Sequence, residues 1–160
     1  MIVYHGGTDT VDAPRIIKAY TGRDFGTGFY TTSIREQAVK WAMRQARYRR
    51  TNRAILNKYE LEEAAFHDLK VKTFDGYSME WLDLVVACRQ DSTFRHDYDL
   101  VVGEVANDAV GETVQAVVDG LTSKEFALSR LSFMYENDQL CFSTEAALHY
   151  LRFISAERVD

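Results

Sequence analysis

The chain contains very little proline and cysteine. Its 160 residues include one proline, Pro14, and two cysteines, Cys88 and Cys141. Because few linker points are available and the length is typical of one domain, we predict a single domain over residues 1–160. Two cysteines without a CxxC spacing do not form a disulfide framework, so we expect both to be small buried side chains in a reducing cytoplasm.

Long hydrophobic runs are also absent. No stretch approaches the roughly 20 apolar residues that a membrane span needs. The N-terminus, MIVYHGG, has neither the charged region nor the apolar run of a secretory signal. We therefore predict a cytoplasmic protein with no membrane contact. A formal net charge of −5 argues against a general electrostatic attraction to nucleic acid.

Several catalytic signatures are missing as well. The sequence has no GxxxxGK[ST] phosphate loop, no GxGxxG, no HExxH and no GxSxG. The glycines of GRDFGTG precede a strand rather than join a strand to a helix, so they are not a dinucleotide fingerprint. The four histidines are scattered, without metal-ligand spacing. We predict no metal site, and we expect His96 to be a surface residue of a polar loop.

The most informative stretch that is present is Asp24–Trp41, with the sequence DFGTGFYTTSIREQAVKW. Gly26 and Gly28 permit a positive φ or a close approach to a ligand or another strand. Aromatic and β-branched residues then favour a short strand over Phe29–Thr32. We interpret Tyr30 and Trp41 as walls of a small-molecule site; the alternative is that both are ordinary core aromatics.

A helix follows directly. Ser33 and Glu36 have the spacing of a capping box, and the apolar pattern predicts a helix over Ile34–Tyr48. Five arginines lie near its end: Arg44, Arg47, Arg49, Arg50 and Arg53. Two readings stay open for this cluster. It is either a solvated helix end, where cations are favoured, or a contact for phosphate or an acidic partner.

Strands and helices mix along the chain without strict βαβ alternation, which predicts an α+β fold. Gly6-Gly7 is expected to end the first strand, and Pro14 to open a helical turn near Ile16–Ala19. The other predicted strands and helices are the following. Strands are expected over Ile2–His5, Ala54–Leu61, Leu69–Thr73, Asp99–Ala106, Gln139–Phe142 and Arg152–Val159. One helix is expected over Ser78–Cys88, and another from a cap at Asn107-Asp108 to Asp119-Gly120. A third is expected from Thr122 or Ser123 to Leu131, with Glu125 able to complete a capping box on Thr122. A fourth is expected from a cap at Ser143 or Thr144 through Leu151.

An ordered set of motifs resembles a known family. In the bacterial DUF3990 family, the motifs YHG, DFGxGFYxT, QAxxWA, a DLVVGxVAND-like strand and a late NDQxxFxT recur. Here they lie at Tyr4–Gly6, Asp24–Thr31, Gln37–Ala42, Asp99–Asp108 and Asn137–Thr144. Through them the chain is similar to the ADP-ribosyltransferase superfamily, in the His–Tyr–Glu branch that includes diphtheria-toxin-like enzymes and poly(ADP-ribose) polymerases. The resemblance implies a split β core of two packed sheets with flanking helices, and NAD bound in a central cleft.

The resemblance also implies roles for single residues. His5 would bond the adenosine-side ribose of NAD, and the backbone of Gly6 would pair with the nicotinamide carboxamide. Tyr30 would stack on nicotinamide, with Trp41 on the other face of the ring. The remaining residues expected to line the NAD site are Gly7, Thr8, Gly28, Thr31 and Ala38.

Two positions depart from the family pattern. Gln139 aligns with the catalytic glutamate, whose negative charge stabilises the cation-like sugar as the glycosidic bond breaks. The neutral amide keeps an acceptor and loses the charge; Glu136 and Glu145 are the nearby carboxylates. Ala38 lies where the polymerases use a serine hydroxyl. His5 as a structural histidine and Gln139 as an ordinary strand residue remain alternatives.

These features lead us to expect a mono-ADP-ribosyltransferase with His5, Tyr30 and Gln139 as its catalytic residues. It would cleave NAD, its substrate, at the nicotinamide–ribose bond without a metal and transfer ADP-ribose to a protein or nucleic acid. The resemblance further suggests a bacterial toxin with a cognate antitoxin protein. The alternatives are a catalytically impaired NAD- or protein-binding module and an NAD glycohydrolase.

Overall fold

The computed structural model describes residues 1–18, 23–106, 108–131 and 136–159, and these form a mixed α+β arrangement with two open sheets. The α+β prediction is confirmed. The described strands are β1 Ile2–Gly7, β2 Phe29–Thr31, β3 Ile55–Leu61, β4 Val71–Thr73, β5 Leu100–Gly103, β6 Gln139–Phe142 and β7 Leu151–Arg158. The described helices are α1 Arg35–Tyr48, α2 Ala65–Asp68, α3 Met79–Gln90, α4 Asp108–Val118, α5 Lys124–Arg130 and α6 Glu145–Leu148.

The two sheets touch at one backbone bridge. One sheet has the order β1-β3-β7 and the other β2-β6-β5-β4, with only the β4–β5 pair parallel. Tyr4 N donates to Thr32 O at 2.8 Å, and Thr32 N donates to Tyr4 O at 2.9 Å. No ladder of the described residues joins β1 to β2 beyond this bridge, so the two strands diverge there.

Two buried clusters hold these elements. The first fills the space between the four-stranded sheet and helices α3 to α5, around the fully buried Trp81. The second contains side chains of both sheets: Phe29 of β2 meets Tyr59 of β3 edge-on, with ring centroids 5.7 Å apart. Burial of aromatic side chains from both sheets is what attaches one sheet to the other.

Helix α1 packs closely on β1. Its buried residues Ala38, Ala42 and Ala46 recur every four residues and so form one small-residue stripe. A Cβ added at Gly6 would lie 2.1 Å from the carbonyl oxygen of Ala38. Only glycine at this position permits such a close approach of strand and helix.

Several boundaries differ from the predictions. The first strand continues through Gly6-Gly7, because the pair is still in register with β3. The strand predicted to end at Ala106 ends at Gly103. The helix expected to run through Leu151 ends at Leu148, and Leu151 already begins β7.

The helix caps also differ in part. Ser33 does not cap α1, since its hydroxyl donates to Asp138 and Ile34 occupies the cap position without a side-chain bond. Ser123, rather than Thr122, caps α5. The predicted caps at Ser78 and Thr144 are confirmed by bonds from Trp81 N and Ala147 N. The cap at Asn107 lies outside the described residues. Residues 16–18 are irregular rather than helical, and Ala19 also lies outside the described residues.

Both cysteines are buried and unpaired, as predicted: Cys88 is a buried residue of α3, and Cys141 is fully buried in β6. In the described part of the chain, no helix combines the length and the apolar character needed to cross a bilayer.

Candidate functional site

The site implied by the motifs lies where β1 and β2 diverge. Backbone groups of an antiparallel strand point alternately to its two edges. Tyr4 directs its N–H and C=O to Thr32 of the other sheet, so Gly6, two residues later, directs its own toward the same edge. Beyond the bridge the edge of β1 therefore presents a donor and an acceptor from a residue without a side chain. An amide group of a ligand is complementary to such a pair.

His5 lies beside this edge. Its ring stacks on Phe29 with centroids 4.6 Å apart, and Nδ1 is 2.7 Å from the carbonyl oxygen of Tyr30. A carbonyl oxygen only accepts, so Nδ1 carries the proton. Burial lowers the pKa of His5, although the bond to Tyr30 acts to raise it. The neutral ring therefore offers Nε2 as an acceptor, which suits a ribose hydroxyl.

Tyr30 is anchored at its hydroxyl. The hydroxyl donates to Gly26 O at 2.6 Å and accepts from Phe25 N at 3.2 Å, and burial raises its pKa well above the usual value. Gly26 adopts φ of 77°, so its positive φ shapes this turn as expected. The guanidinium of Arg23 lies 5.3 Å from the centre of the Tyr30 ring. A planar cation already occupies a face of the ring on which a pyridinium is expected to stack.

Trp41 is not a core residue, because 48% of its surface is exposed. The guanidinium of Arg44 lies 5.8 Å from its ring centre, and no ring contact joins Trp41 to Tyr30 in the described part of the chain. Ala38, on the inner side of α1, is buried against Gly6. Trp41 is therefore accessible to solvent, whereas Ala38 packs against β1 at Gly6.

Gln139 is tied into a buried polar network. Its Nε2 donates to Asp24 Oδ2 at 2.8 Å and to Glu104 O at 3.0 Å. Asp24 also accepts from the Arg89 guanidinium at 2.6 Å and from Ala106 N at 2.7 Å. Both amide hydrogens of Gln139 are used, so Oε1 is the remaining acceptor. Removing either partner of a buried ion pair such as Asp24–Arg89 typically costs about 3–5 kcal/mol.

The two residues before Gln139 are structural. Asp138 accepts hydrogen bonds from the hydroxyls of Thr32 and Ser33, and from Ser33 N at 3.0 Å. Gln37 Nε2 also donates to Asp138 O at 2.6 Å. Asn137 Oδ1 accepts from Val105 N at 2.8 Å. The NDQ motif therefore joins the start of α1 and the end of β5 to β6.

Glu104 is a half-buried carboxylate that no sequence motif indicates. Its Oε1 accepts from Gly76 N at 2.9 Å, while the buried Oε2 has no hydrogen-bond partner. Burial raises the pKa of Glu104, and its backbone oxygen is the one that Gln139 contacts. Glu136 and Glu145, the carboxylates considered from the sequence, are both exposed. The sequence feature that could have indicated Glu104 is a carboxylate within the largely apolar predicted strand Asp99–Ala106.

The remaining predicted site residues have separate surroundings. A Cβ on Gly28 would lie 2.5 Å from Cys141 Sγ, so this glycine allows β6 to approach. A Cβ on Gly7 could be accommodated, because its nearest atom would be His5 Nε2 at 3.4 Å. Thr31 Oγ1 is buried without a partner. Thr8 Oγ1 donates to Asp9 and accepts from Arg49 at 3.0 Å.

These positions show which side chains the fold brings together. Tyr30 pairs with Cys141, and side chains directly opposite share a face. Gln139, two residues from Cys141, is on that face too. His5 stacks on Phe29, the neighbour of Tyr30, and so lies on the opposite face. The Tyr30 and Gln139 side chains therefore share one side of the sheet, and His5 reaches the strand through the Tyr30 carbonyl.

The described side chains form no metal-ligating cluster, and one cavity of the structure lies away from the predicted catalytic residues. No group of three or more metal-ligating side chains occurs among the described residues. His96, which was expected at the surface, is half-buried, and its Nε2 bonds the carbonyl oxygen of Phe25. A cavity of about 160 Å³ at Tyr4, Arg35, Leu56, Lys58, Ser155 and Glu157 contains none of the predicted catalytic residues. It is smaller than the roughly 300–1,000 Å³ of typical ligand sites.

Comparison with known proteins shows the family. The family model described as "Protein of unknown function (DUF3990)" matches residues 1–153, so the chain belongs to this family. No curated protein matches the chain, and no solved structure does.

Proposed function

We propose that this DUF3990 member is a mono-ADP-ribosyltransferase that cleaves NAD at the nicotinamide–ribose bond. The observation that carries the proposal is the backbone edge of Gly6, which is buried against α1 and has no described strand paired to it, beside a neutral His5 where the two sheets diverge. The edge offers a donor and an acceptor for the carboxamide, and His5 Nε2 offers an acceptor for a ribose hydroxyl. The motif resemblance to ADP-ribosyltransferases supports the same assignment.

The aromatic residues would bind the leaving group. Nicotinamide is a cationic ring while it is attached to ribose, and the Tyr30 ring already attracts a cation, Arg23. Trp41 is accessible for the opposite face of the ring. In this proposal the pyridinium displaces the Arg23 guanidinium from Tyr30 as NAD binds.

The bond between the ribose C1′ and the pyridinium nitrogen breaks, and its electron pair leaves with neutral nicotinamide. The cation-like sugar is attacked by a nucleophile of the acceptor, which forms the new C1′ bond and loses its proton. Gln139 Oε1 would orient the sugar. Glu104, with an unpartnered oxygen and a raised pKa, would supply the negative charge that Gln139 lacks and accept the proton. No step in this sequence needs a metal.

A second function has specific support. Both amide hydrogens of Gln139 are donated to Asp24 and Glu104, and Ala38 has no hydroxyl. These features favour a catalytically impaired module that would bind NAD or a protein without turnover. A glycohydrolase, with water as the acceptor, is the third possibility. In the transferase proposal, ADP-ribose is transferred to a protein or a nucleic acid. The enzyme would act as a toxin that an antitoxin protein neutralises.

The test incubates the purified chain with cell lysate and NAD labelled in its adenosine half. We expect labelled macromolecules from the wild type, and a loss of at least tenfold for His5→Ala, Tyr30→Ala and Glu104→Gln, a size typical of lost positioning or acid–base catalysis. Tyr30→Phe keeps the ring and is the matched control. Equal labelling by all variants contradicts the site. Calorimetric binding of NAD without turnover favours the binding module, and free ADP-ribose alone favours the glycohydrolase.

A further inference from the structure

One segment of this acidic chain has only positive charge. Residues 37–59 contain seven of the 19 lysines and arginines and none of the 24 aspartates and glutamates. The segment comprises most of α1, the turn after it and most of β3. A solvated helix face usually alternates in sign, because opposite charges four residues apart stabilise it. Of its three cations within α1, Lys40 has an acidic residue four positions away, Glu36, whereas the sequence places no acidic residue at that spacing from Arg44 or Arg47.

The fold gathers part of this charge on the outer face of α1. Lys40, Arg44, Arg47 and Tyr48 are spaced by four, three and one residues, so they lie on one side of the helix. The buried stripe Ala38–Ala42–Ala46 lies on the opposite side. We call these four residues the outer α1 face.

The helix dipole does not explain this face. Cations are favoured near a helix C-terminus, but the effect is limited to the last turn. Arg47 is in the last turn of α1, whereas Lys40 and Arg44 are earlier. Among the described residues, Asp9 forms ion pairs with cations beyond the helix, with Arg49 at 3.9 Å and Arg53 at 3.7 Å.

Aromatic rings accompany the charge. Tyr48 is 84% exposed, so its ring gains almost nothing from burial in the fold. Arg44 lies over the ring of Trp41, next to it on the helix surface. Arginines interleaved with exposed aromatic side chains are typical of surfaces that bind unpaired nucleotides, where cations contact phosphates and rings stack on bases.

We propose that the outer α1 face binds single-stranded nucleic acid. Lys40, Arg44 and Arg47 contact the phosphates, and Tyr48 stacks on a base. A duplex hides the faces of its bases, so a surface tyrosine gains a stacking partner only from an unpaired strand. The inference does not require NAD chemistry. Gly6 packs against Ala38 and Ala42 on the buried side of α1, although Arg44 lies over Trp41, which the proposed function assigns to nicotinamide.

The test is fluorescence anisotropy with labelled 20-nucleotide RNA and DNA of mixed sequence, and their duplexes, in the absence of NAD. We expect the wild type to prefer single strands and to bind more weakly as salt rises. The variant Lys40→Gln/Arg44→Gln/Arg47→Gln should bind at least tenfold more weakly, with a salt slope smaller by about 2, given roughly 0.7 per phosphate contact.

The matched control is Arg15→Gln/Lys18→Gln/Arg130→Gln, which removes three other exposed cations and gives the same net charge. It should bind like the wild type. Tyr48→Ala should weaken binding roughly 5- to 150-fold, the equivalent of about 1–3 kcal/mol per stacked base, and Tyr48→Phe should restore it.

Several outcomes overturn the proposal: no binding by the wild type at 50 mM salt, equal weakening in the control, or wild-type binding by Tyr48→Ala. Tighter binding to polyglutamate or to vesicles of anionic lipid than to the oligonucleotides would assign the face to an acidic protein or a membrane instead. Because NAD is absent, none of these results depends on transferase activity.

Discussion

Gln139, a predicted site residue, has a clear structural role. Its amide hydrogens bind Asp24 and the Glu104 carbonyl, two acceptors from distant parts of the chain. A glutamate at this position would have no hydrogen to donate when ionised. The Asp24 carboxylate therefore favours glutamine over glutamate at this position, since Asp24 is already committed to Arg89.

Replacing Gln139 by glutamate should lower the free energy of unfolding by about 3 kcal/mol at pH 7, because a second carboxylate would face Asp24 in a buried site. Burial and the like charge would raise the pKa of the new carboxyl group above its usual value near 4.3. The folded variant then binds more protons than the unfolded chain, so the loss of stability should shrink as pH falls from 7 to 5.

Urea unfolding at both pH values measures this effect. Gln139→Met is the control, because it removes the hydrogen bonds without adding charge, and its loss of stability should be about 1–2 kcal/mol at both pH values. A Gln139→Glu chain as stable as the wild type at pH 7 would show that the amide is not needed by Asp24.

At the scale of elements, the approach of α1 to β1 depends on one missing side chain. A Cβ at Gly6 would lie 2.1 Å from Ala38 O and 2.8 Å from Ala42 N, both backbone atoms that cannot move without the helix. At Gly7 the nearest atom is His5 Nε2 at 3.4 Å, an ordinary contact.

Gly6→Ala should therefore destabilise the protein by about 1–3 kcal/mol or more through overpacking, and Gly7→Ala should change stability by less than about 1 kcal/mol. Thermal unfolding of the two variants compares neighbouring glycines of one strand. Equal melting temperatures would contradict the close packing of α1 on β1.

The elements also show what local sequence determines. Strands β3 and β6 and helix α1 were predicted to within one residue, because their hydrophobic periodicity is local. The cap at Ser33 failed because Asp138, 105 residues away, takes its hydroxyl. The strand expected to reach Ala106 stops early because Val105 N and Ala106 N bond the side chains of Asn137 and Asp24 instead of a neighbouring strand.

At the scale of the whole molecule, the candidate site depends on contacts between segments that are far apart in sequence. The motifs placed His5, Gly6 and Tyr30 near one another, and the bond between His5 and Tyr30 O agrees with that placement. Glu104, to which the proposed function assigns a role, was not identified, because burial and an unpartnered oxygen are features that no local pattern reveals. The Arg23 cation on Tyr30 was equally invisible in the sequence.

Protonation links His5 and His96 to the stability of the whole fold. His5 donates from Nδ1 to Tyr30 O, and His96 donates from Nε2 to Phe25 O at 2.9 Å while its Nδ1 accepts from Tyr98 N. Burial lowers the pKa of both rings. Both therefore stay neutral in the folded protein at a pH where the unfolded chain, with a pKa near 6.5, takes up protons.

We therefore expect the free energy of unfolding to fall as pH is lowered from 7 to 5, because the unfolded state binds more protons over this range. Glu104 opposes this trend in part, since its raised pKa makes the folded state bind a proton more readily above pH 4.5.

The double variant His5→Gln/His96→Gln removes the two titrating rings and should reduce the slope of unfolding free energy against pH between pH 5 and 7. Urea unfolding at pH 5, 6 and 7 measures it, with His67→Gln, at an exposed position in α2, as the control for the substitution itself. The same slope in the double variant and the wild type would show that other groups determine the pH dependence.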